Sequence, residues 1–195
     1  SCGQWNTFVE ELIQKDVRKS SLSEWQTYNG DVATKKTQPL HEVKTKATPR
    51  IQTDDQELNR VLGGGIVPGS IVLIAGEPGI GKSTLFLQMG LQLHGIVTLY
   101  ISGEESEQQI KMRADRIGLQ NENFYLLTET STQEIFQEIK KLKPQLIIVD
   151  SVQTLESPFV DSSPGSVSQI RECASEFQQF AKENNNPVFL IGYIK

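Results

Sequence analysis

Gly76-Glu77-Pro78-Gly79-Ile80-Gly81-Lys82-Ser83 fits the pattern G-x-x-x-x-G-K-[ST], and its flanks supply the context that the pattern requires. Upstream, Ile71-Val72-Leu73-Ile74-Ala75 reads as a buried strand. Downstream, Thr84 to His94 lacks proline, contains the single glycine Gly90 and shows helix-like apolar spacing. Strand, glycine loop and helix in that order make a phosphate-binding P-loop rather than a chance match in a βα turn. Glycines let the backbone close around phosphate oxygens. The amides from about Gly79 to Thr84 then point inward, and the helix N-terminus adds positive potential. Lys82 is expected to reach the β- and γ-phosphates of a nucleotide, and the Ser83 hydroxyl to hold Mg²⁺.

Outward from the loop, the chain alternates strands and helices. Ile96 to Ser102 is an apolar run of strand length, followed by Gly103-Glu104-Glu105. Ser106-x-x-Gln109 is a capping box that opens a helix through Ile117, and Gly118 suits its stop. Asn123 to Leu127 is a further strand. Ser131-x-x-Glu134 is expected to cap the next helix, with Ile135, Ile139 and Leu142 on one face. Leu146-Ile147-Ile148-Val149-Asp150 reads as a strand buried on both sides, as in a parallel sheet. After a loop from Ser157 to Gly165, Val167, Ile170, Ala174, Phe177 and Ala181 mark the buried face of a long helix, and Pro187 to Ile191 gives a last strand. On the N-terminal side, Asp54 to Leu62 reads as a short helix with acids in its first turn. Gly63-Gly64-Gly65 stops it, and Pro68-Gly69 makes a turn into the P-loop strand. Repeated βα units imply an α/β fold with a mostly parallel central sheet flanked by helices.

Two acidic positions fit phosphoryl chemistry. Asp150 ends an apolar strand, at the carboxyl edge where open α/β sheets bind ligands, and can hold Mg²⁺ there directly or through water. Glu104 ends the strand that follows the P-loop helix, at the same edge. A carboxylate in that place can orient or deprotonate the water that attacks a γ-phosphate. Glu105 competes for this role, and both acids could instead serve the first turn of a helix. His41 and His94 read as surface residues, Met89 and Met112 as packing, and Cys173 as a small helix-face residue.

The 195 residues carry a net charge of −5, which gives no support to a strongly basic nucleic-acid binder. Two cysteines, Cys2 and Cys173, far apart, argue for a reducing, cytoplasmic setting. No apolar run reaches the length of a membrane span. Residues 15–50 are rich in Ser, Thr, Lys and Gln and read as a flexible, mildly basic linker. In residues 1–14, Trp5 and Phe8 are expected to pack on a short helix from Thr7 to Gln14, while Cys2 by itself reads as a plain thiol.

Five phrases in order resemble the bacterial RadA/Sms family of DNA-repair ATPases. They are LNRVLGGGIVPGS (Leu58 to Ser70), IAGEPGIGKSTL (Ile74 to Leu85), LYISGEES (Leu99 to Ser106), QLIIVDSVQTL (Gln145 to Leu155) and GSVSQIRECA (Gly165 to Ala174). The opening CGQWNTFVEE (Cys2 to Glu11) resembles the end of that family's four-cysteine zinc finger, so Cys2 would match its last Zn²⁺ ligand. The resemblance implies a RecA-like ATPase core over residues 51–195 that uses ATP and Mg²⁺. By match of motif, Gly76, Glu77, Pro78, Gly79, Ile80, Gly81, Lys82, Ser83 and Thr84 form the nucleotide loop. Asp150 is the Walker B carboxylate, and Glu104 is the acidic residue after the second strand. The resemblance further implies single-stranded DNA and recombination intermediates as partners, a RecA-type recombinase, and assembly as a homo-oligomeric ring. Branch migration or unwinding would be the work done. Tyr193 departs from the family, which usually has His there. The family's DNA loops and C-terminal domain are expected beyond Lys195. A KaiC-like regulatory ATPase shares the GGG-x-x-PG-S entry and the P-loop but not the Cys2-Gly3-Gln4-Trp5 opening, and a nucleotide-switched interaction module is a third alternative.

Overall fold

The structure, a computed structural model, describes residues 37, 39–43 and 49–193, all within the unit Thr37–Lys195. Cys2, the helix expected over Thr7 to Gln14, most of the linker, and residues 194 and 195 lie outside the described residues.

Five strands form one wholly parallel sheet: β1 (Ile71–Gly76), β2 (Thr98–Ser102), β3 (Phe124–Thr128), β4 (Leu146–Asp150) and β5 (Val188–Tyr193). Their spatial order is β1-β5-β4-β2-β3, so β4 and β5 insert between the P-loop strand and its successor. Among the described residues five α-helices accompany them: α1 (Gln56–Val61), before β1, then α2 (Lys82–Gln92), α3 (Glu107–Ile117), α4 (Thr132–Leu142) and α5 (Val167–Asn184) between successive strands. A short 3-10 turn, Val152–Thr154, follows β4. The Asp150–Ser151 peptide is cis.

Alternate residues of each strand serve opposite faces of the sheet. Tyr100, Ile148, Phe189 and Ile191 pack with Phe86 and Leu87 of α2 and Ile110 of α3 in one apolar layer. The intervening residues Leu99, Ile101, Ile147, Val149 and Val188 are equally buried. On their side α4 and α5 meet through Phe136, whose ring lies 4.9 Å from Phe177 and 5.6 Å from Phe180. Helices on both faces explain why β2 and β4 are buried along their whole length. β1 is different. It lies at an edge of the described sheet, and Leu73 is 62% exposed, so the expectation of a buried strand holds only in part.

Local chemistry sets the helix ends. Asp55 caps α1 by accepting from the amides of Glu57 and Leu58. Arg50 Nη1 donates to the carbonyls of Leu62 and Gly63 beyond the other end of α1. The Ser106–Gln109 capping box forms as expected, and Gly118 ends α3 in the left-handed conformation.

Three expectations need correction. Ser131 makes no side-chain cap on α4; Glu129 instead accepts from the amides of Thr130 and Ser131, and Ser131 pairs in a parallel bridge with Glu156. Met112 is 64% exposed on α3 rather than packed. Val167 is 71% exposed, and the buried stripe of α5 runs through Gln169, Cys173, Glu176, Phe177, Phe180 and Ala181. Two polar residues, Gln169 and Glu176, sit on that stripe, and Gln169 does so because it bonds to the 157–162 loop. The Gln169 amide donates to the carbonyls of Ser157, Val160 and Ser162 and accepts from the Ser157 amide.

Candidate nucleotide-binding site

Register decides what meets at the carboxyl edge of the sheet. Ser102 pairs with Asp150, Asp150 with Ile191, and Gly76 with Tyr193. β2, β3 and β4 therefore end level at Ser102, Thr128 and Asp150, β5 and β1 run two residues further to Tyr193 and Gly76, and the P-loop, Glu104, Asp150 and Tyr193 emerge at the same edge. Glu104, Glu105 and Asp150 all lie on this edge, as the sequence leads one to expect.

The loop has the conformation that its glycines allow. Gly79 and Gly81 take φ of 81° and 93°, in the left-handed region that a β-carbon disfavours. A β-carbon at either would meet nothing within 4 Å, so conformation and not space selects glycine there. At Gly76 a β-carbon would come within 2.7 Å of Ile80 Cδ1, the tip of an exposed side chain that would have to turn aside. Lys82, buried on the first turn of α2, donates from Nζ to the Gly76 carbonyl at 2.9 Å and the Glu77 carbonyl at 2.7 Å. Its ammonium also stands 5.0 Å from the centroid of the Tyr193 ring, a cation–π distance.

The two neighbouring acids, equivalent in the sequence, have different surroundings. Glu104 Oε1 accepts from Ser151 Oγ at 2.7 Å, and Oε2 accepts from Tyr193 Oη at 2.5 Å. Burial and the adjacent Glu104 carboxylate push the Tyr193 phenol up to about 12, so it stays a donor. Glu105 turns the other way. It pairs with Arg113 of α3, Nη2 to Oε2 at 2.6 Å and Nη1 to Oε1 at 3.1 Å, in a two-point contact. Glu104 thus joins the end of β4 to the end of β5, while Glu105 is tied to a helix.

Asp150 is 5% exposed, and its Oδ2 accepts from Tyr100 Oη at 2.5 Å. Burial, reinforced by the Asp150 charge, raises the Tyr100 phenol far above its usual range, which keeps it protonated as a donor.

The donor set suits a hard cation shared with phosphates. Mg²⁺ takes one or two carboxylates, keeps waters and accepts phosphate oxygens; one buried carboxylate and the Ser83 hydroxyl fit that habit. Among the described residues no group of three or more His, Cys, Asp and Glu side chains could hold a metal ion by itself. The Zn²⁺ expectation rests on Cys2, outside the described residues, and Cys173 is a free buried thiol.

Tyr100, Arg113 and Ser151 were not singled out from the sequence. A hydroxyl-tipped aromatic inside the apolar run Ile96 to Ser102 was the available signal for Tyr100. Nothing local marks Arg113 or Ser151.

An AAA domain family matches residues 36–192. The proteins named DNA repair protein RadA are similar along the whole chain. The one from Bacillus subtilis (strain 168) is 45% identical over 99% of this chain and 42% of its own length. The one from Streptococcus pneumoniae (strain ATCC BAA-255 / R6) is 50% identical over 95% of this chain and 43% of its own. This chain therefore spans about two fifths of the length of those relatives. Among solved structures, the RadB recombinase aligns with a TM-score of 0.52 and 27% identity over 73% of this chain and 70% of its own. A DnaB-like replicative helicase aligns with a TM-score of 0.63 and 17% identity over 75% of this chain and 44% of its own, a likeness of fold alone. No helix among the described residues is long and apolar enough to cross a membrane.

Proposed function

We propose that this chain, which belongs to the AAA domain family and resembles DNA repair protein RadA along its length, is the ATP-binding and ATP-hydrolysing core of a cytoplasmic DNA-repair motor. The observation that carries the reading is the Glu104 carboxylate, held by Ser151 and Tyr193 at the same sheet edge as the P-loop and Asp150.

Residues 76–84 wrap the phosphates with backbone amides, and Lys82 moves its ammonium from the Gly76 and Glu77 carbonyls to the β- and γ-phosphate oxygens. Ser83 and Asp150 would hold Mg²⁺, which would supply neutralisation of the phosphate charge. Glu104 orients the attacking water and takes its proton. Each of its oxygens already accepts one hydrogen bond, so the carboxylate is fixed in direction while a second lone pair on each remains for water. In the longer protein, the energy released drives single-stranded DNA through branch migration or unwinding, within a homo-oligomeric ring and alongside a RecA-type recombinase. The net charge of −5 on these 195 residues makes counterion release on DNA small, so the DNA contact belongs to the assembled longer protein.

The test is ATP hydrolysis by the full-length protein with and without single-stranded DNA, beside Lys82→Ala. The expected result is stimulation by DNA, and for Lys82→Ala a loss of affinity for a fluorescent ATP analogue of tenfold or more, since no other side chain in the loop supplies a cation. Unchanged binding and turnover in Lys82→Ala would refute the P-loop assignment. Hydrolysis indifferent to DNA would refute the motor and favour a regulatory ATPase.

A further inference from the structure

A connected set of polar side chains runs behind the proposed metal carboxylate and takes no part in the scheme above. Tyr100 is 0% exposed, in the middle of β2, among Phe86, Leu87, Ile148 and Ile110. It pairs with Ile148 in the β-ladder, so Tyr100 and Asp150, two residues further along β4, share one face as diagonal neighbours. Tyr100 Oη donates to Asp150 Oδ2 at 2.5 Å and accepts from Arg113 Nη2 at 3.3 Å. Arg113 is in turn clamped by both oxygens of Glu105. The Arg113 side chain is 14% exposed and the Glu105 side chain 35%, so the set leads from half-buried Glu105, just before α3, to the buried carboxylate.

An apolar side chain of the same shape would fill the space as well as tyrosine does. What the hydroxyl adds is a donor fixed in direction by the ring and polarised from behind by a cation, because a hydrogen bond accepted from a charged group strengthens the one donated. The ring is held by packing against Phe124, with centroids 5.9 Å apart, and by the strand.

We infer that Tyr100 is a positioning residue for Asp150, with the Arg113–Glu105 pair as its support, and that this set fixes Mg²⁺ affinity at the nucleotide site. Oδ2 is fixed in direction by the phenol, and the carboxylate plane is set before metal and nucleotide arrive. Partners of metal ligands commonly control affinity in this way, and losing one costs about 10–100-fold. The inference rests on the reading of Asp150 as a magnesium-linked carboxylate.

The experiment is a magnesium titration of fluorescent ATP-analogue binding to the full-length protein, followed by anisotropy, with no turnover needed. For Tyr100→Phe the magnesium midpoint should rise about tenfold, while analogue binding in excess EDTA stays as in the parent. Asp150→Asn, run in parallel, should raise the midpoint further. Arg113→Lys keeps the cation but loses the two-point contact, and should raise the midpoint about threefold; it carries the test if Tyr100→Phe does not fold, as judged by circular dichroism. A shifted Asp150→Asn midpoint with unshifted Tyr100→Phe and Arg113→Lys midpoints would overturn the inference alone. An unshifted Asp150→Asn midpoint would overturn the metal role of Asp150, and the inference with it.

Discussion

Gly103 offers a perturbation whose size can be worked out beforehand. It follows β2 directly, and its amide donates to the Asp150 carbonyl at 3.3 Å, which holds the loop carrying Glu104 against the end of β4. A β-carbon here would lie 2.2 Å from Thr154 Oγ1, 2.7 Å from Thr154 Cβ and 3.0 Å from Thr130 Cγ2. Thr154 cannot swing aside as a long side chain would. It is short and branched, sits on the 3-10 turn after β4, and donates from Oγ1 to the Ser151 carbonyl at 2.8 Å. Gly103→Ala must therefore push the turn away from the loop. Overpacking of this kind costs about 1–3 kcal/mol, and losing the Thr154 hydrogen bond about 1 kcal/mol. Reduced freedom of the unfolded chain returns about 0.4–1 kcal/mol. The net is destabilisation by about 2 kcal/mol, or a Tm lower by about 4–8 °C for a domain of this size. The same movement separates Glu104 from Ser151. A misplacement of about 1 Å can cost on the order of 100-fold in rate, so DNA-stimulated hydrolysis should fall at least tenfold with nucleotide affinity kept. Differential scanning calorimetry and a phosphate-release assay on the full-length protein measure both. Combining Gly103→Ala with Thr154→Gly should restore about 1 kcal/mol or more relative to additivity. A Gly103→Ala protein that melts within a degree of the parent and hydrolyses ATP normally would refute the contact and the coupling built on it.

Glu104→Gln should bind the ATP analogue like the parent and lose most hydrolysis, whereas Glu105→Gln at saturating Mg²⁺ should hydrolyse ATP at close to the parental rate. Steady-state assays of the pair check this, and the reverse pattern would exchange their roles. Glu176 supplies a pH dependence. Burial raises its carboxyl, against the opposite pull of the Ser157 and Thr132 hydroxyls. An acid raised on folding is stabilised in its neutral form, so the cost of charging it is absent below the unfolded value near 4.3 and grows as pH rises through the folded value. Urea denaturation at pH 5 and pH 8 should show Glu176→Gln gaining on the parent as pH rises; an equal difference at both would refute it.

Much of this architecture is written locally. Residues 71–84 announce strand, loop and helix because phosphate binding needs glycine at fixed places next to a buried strand. Asp150 is legible because a lone acid closing an apolar run must sit at the sheet's edge. Caps such as Ser106–Gln109 and stops such as Gly118 act within a few residues and are readable for the same reason. The phase of α5 was misread because periodicity counts apolar side chains. The Gln169 position is buried by its bonds to the 157–162 loop, which apolar spacing does not register, and Val167 begins the helix beyond the core. Ser131 makes no side-chain cap on α4, and its parallel bridge to Glu156 is a contact outside any local window.

The sequence favours Glu104 over Glu105 by motif, but the different surroundings of the two lie outside the local sequence. Two identical side chains in succession carry the same chemistry until strand order gives them different neighbours. Placing β4 and β5 between β1 and β2 brings Ser151 and Tyr193, 47 and 89 residues away, onto Glu104, while α3 offers Arg113 to Glu105. The sequence by itself determined the phosphate loop, the elements and the acids at their ends, because each depends on backbone conformation or burial within a short window. Tertiary structure alone decided which acid Ser151 and Tyr193 hold, and that Tyr100 stands behind Asp150, because hydrogen bonds at 2.5–2.7 Å depend on the register of strands that are neighbours in space and not in sequence.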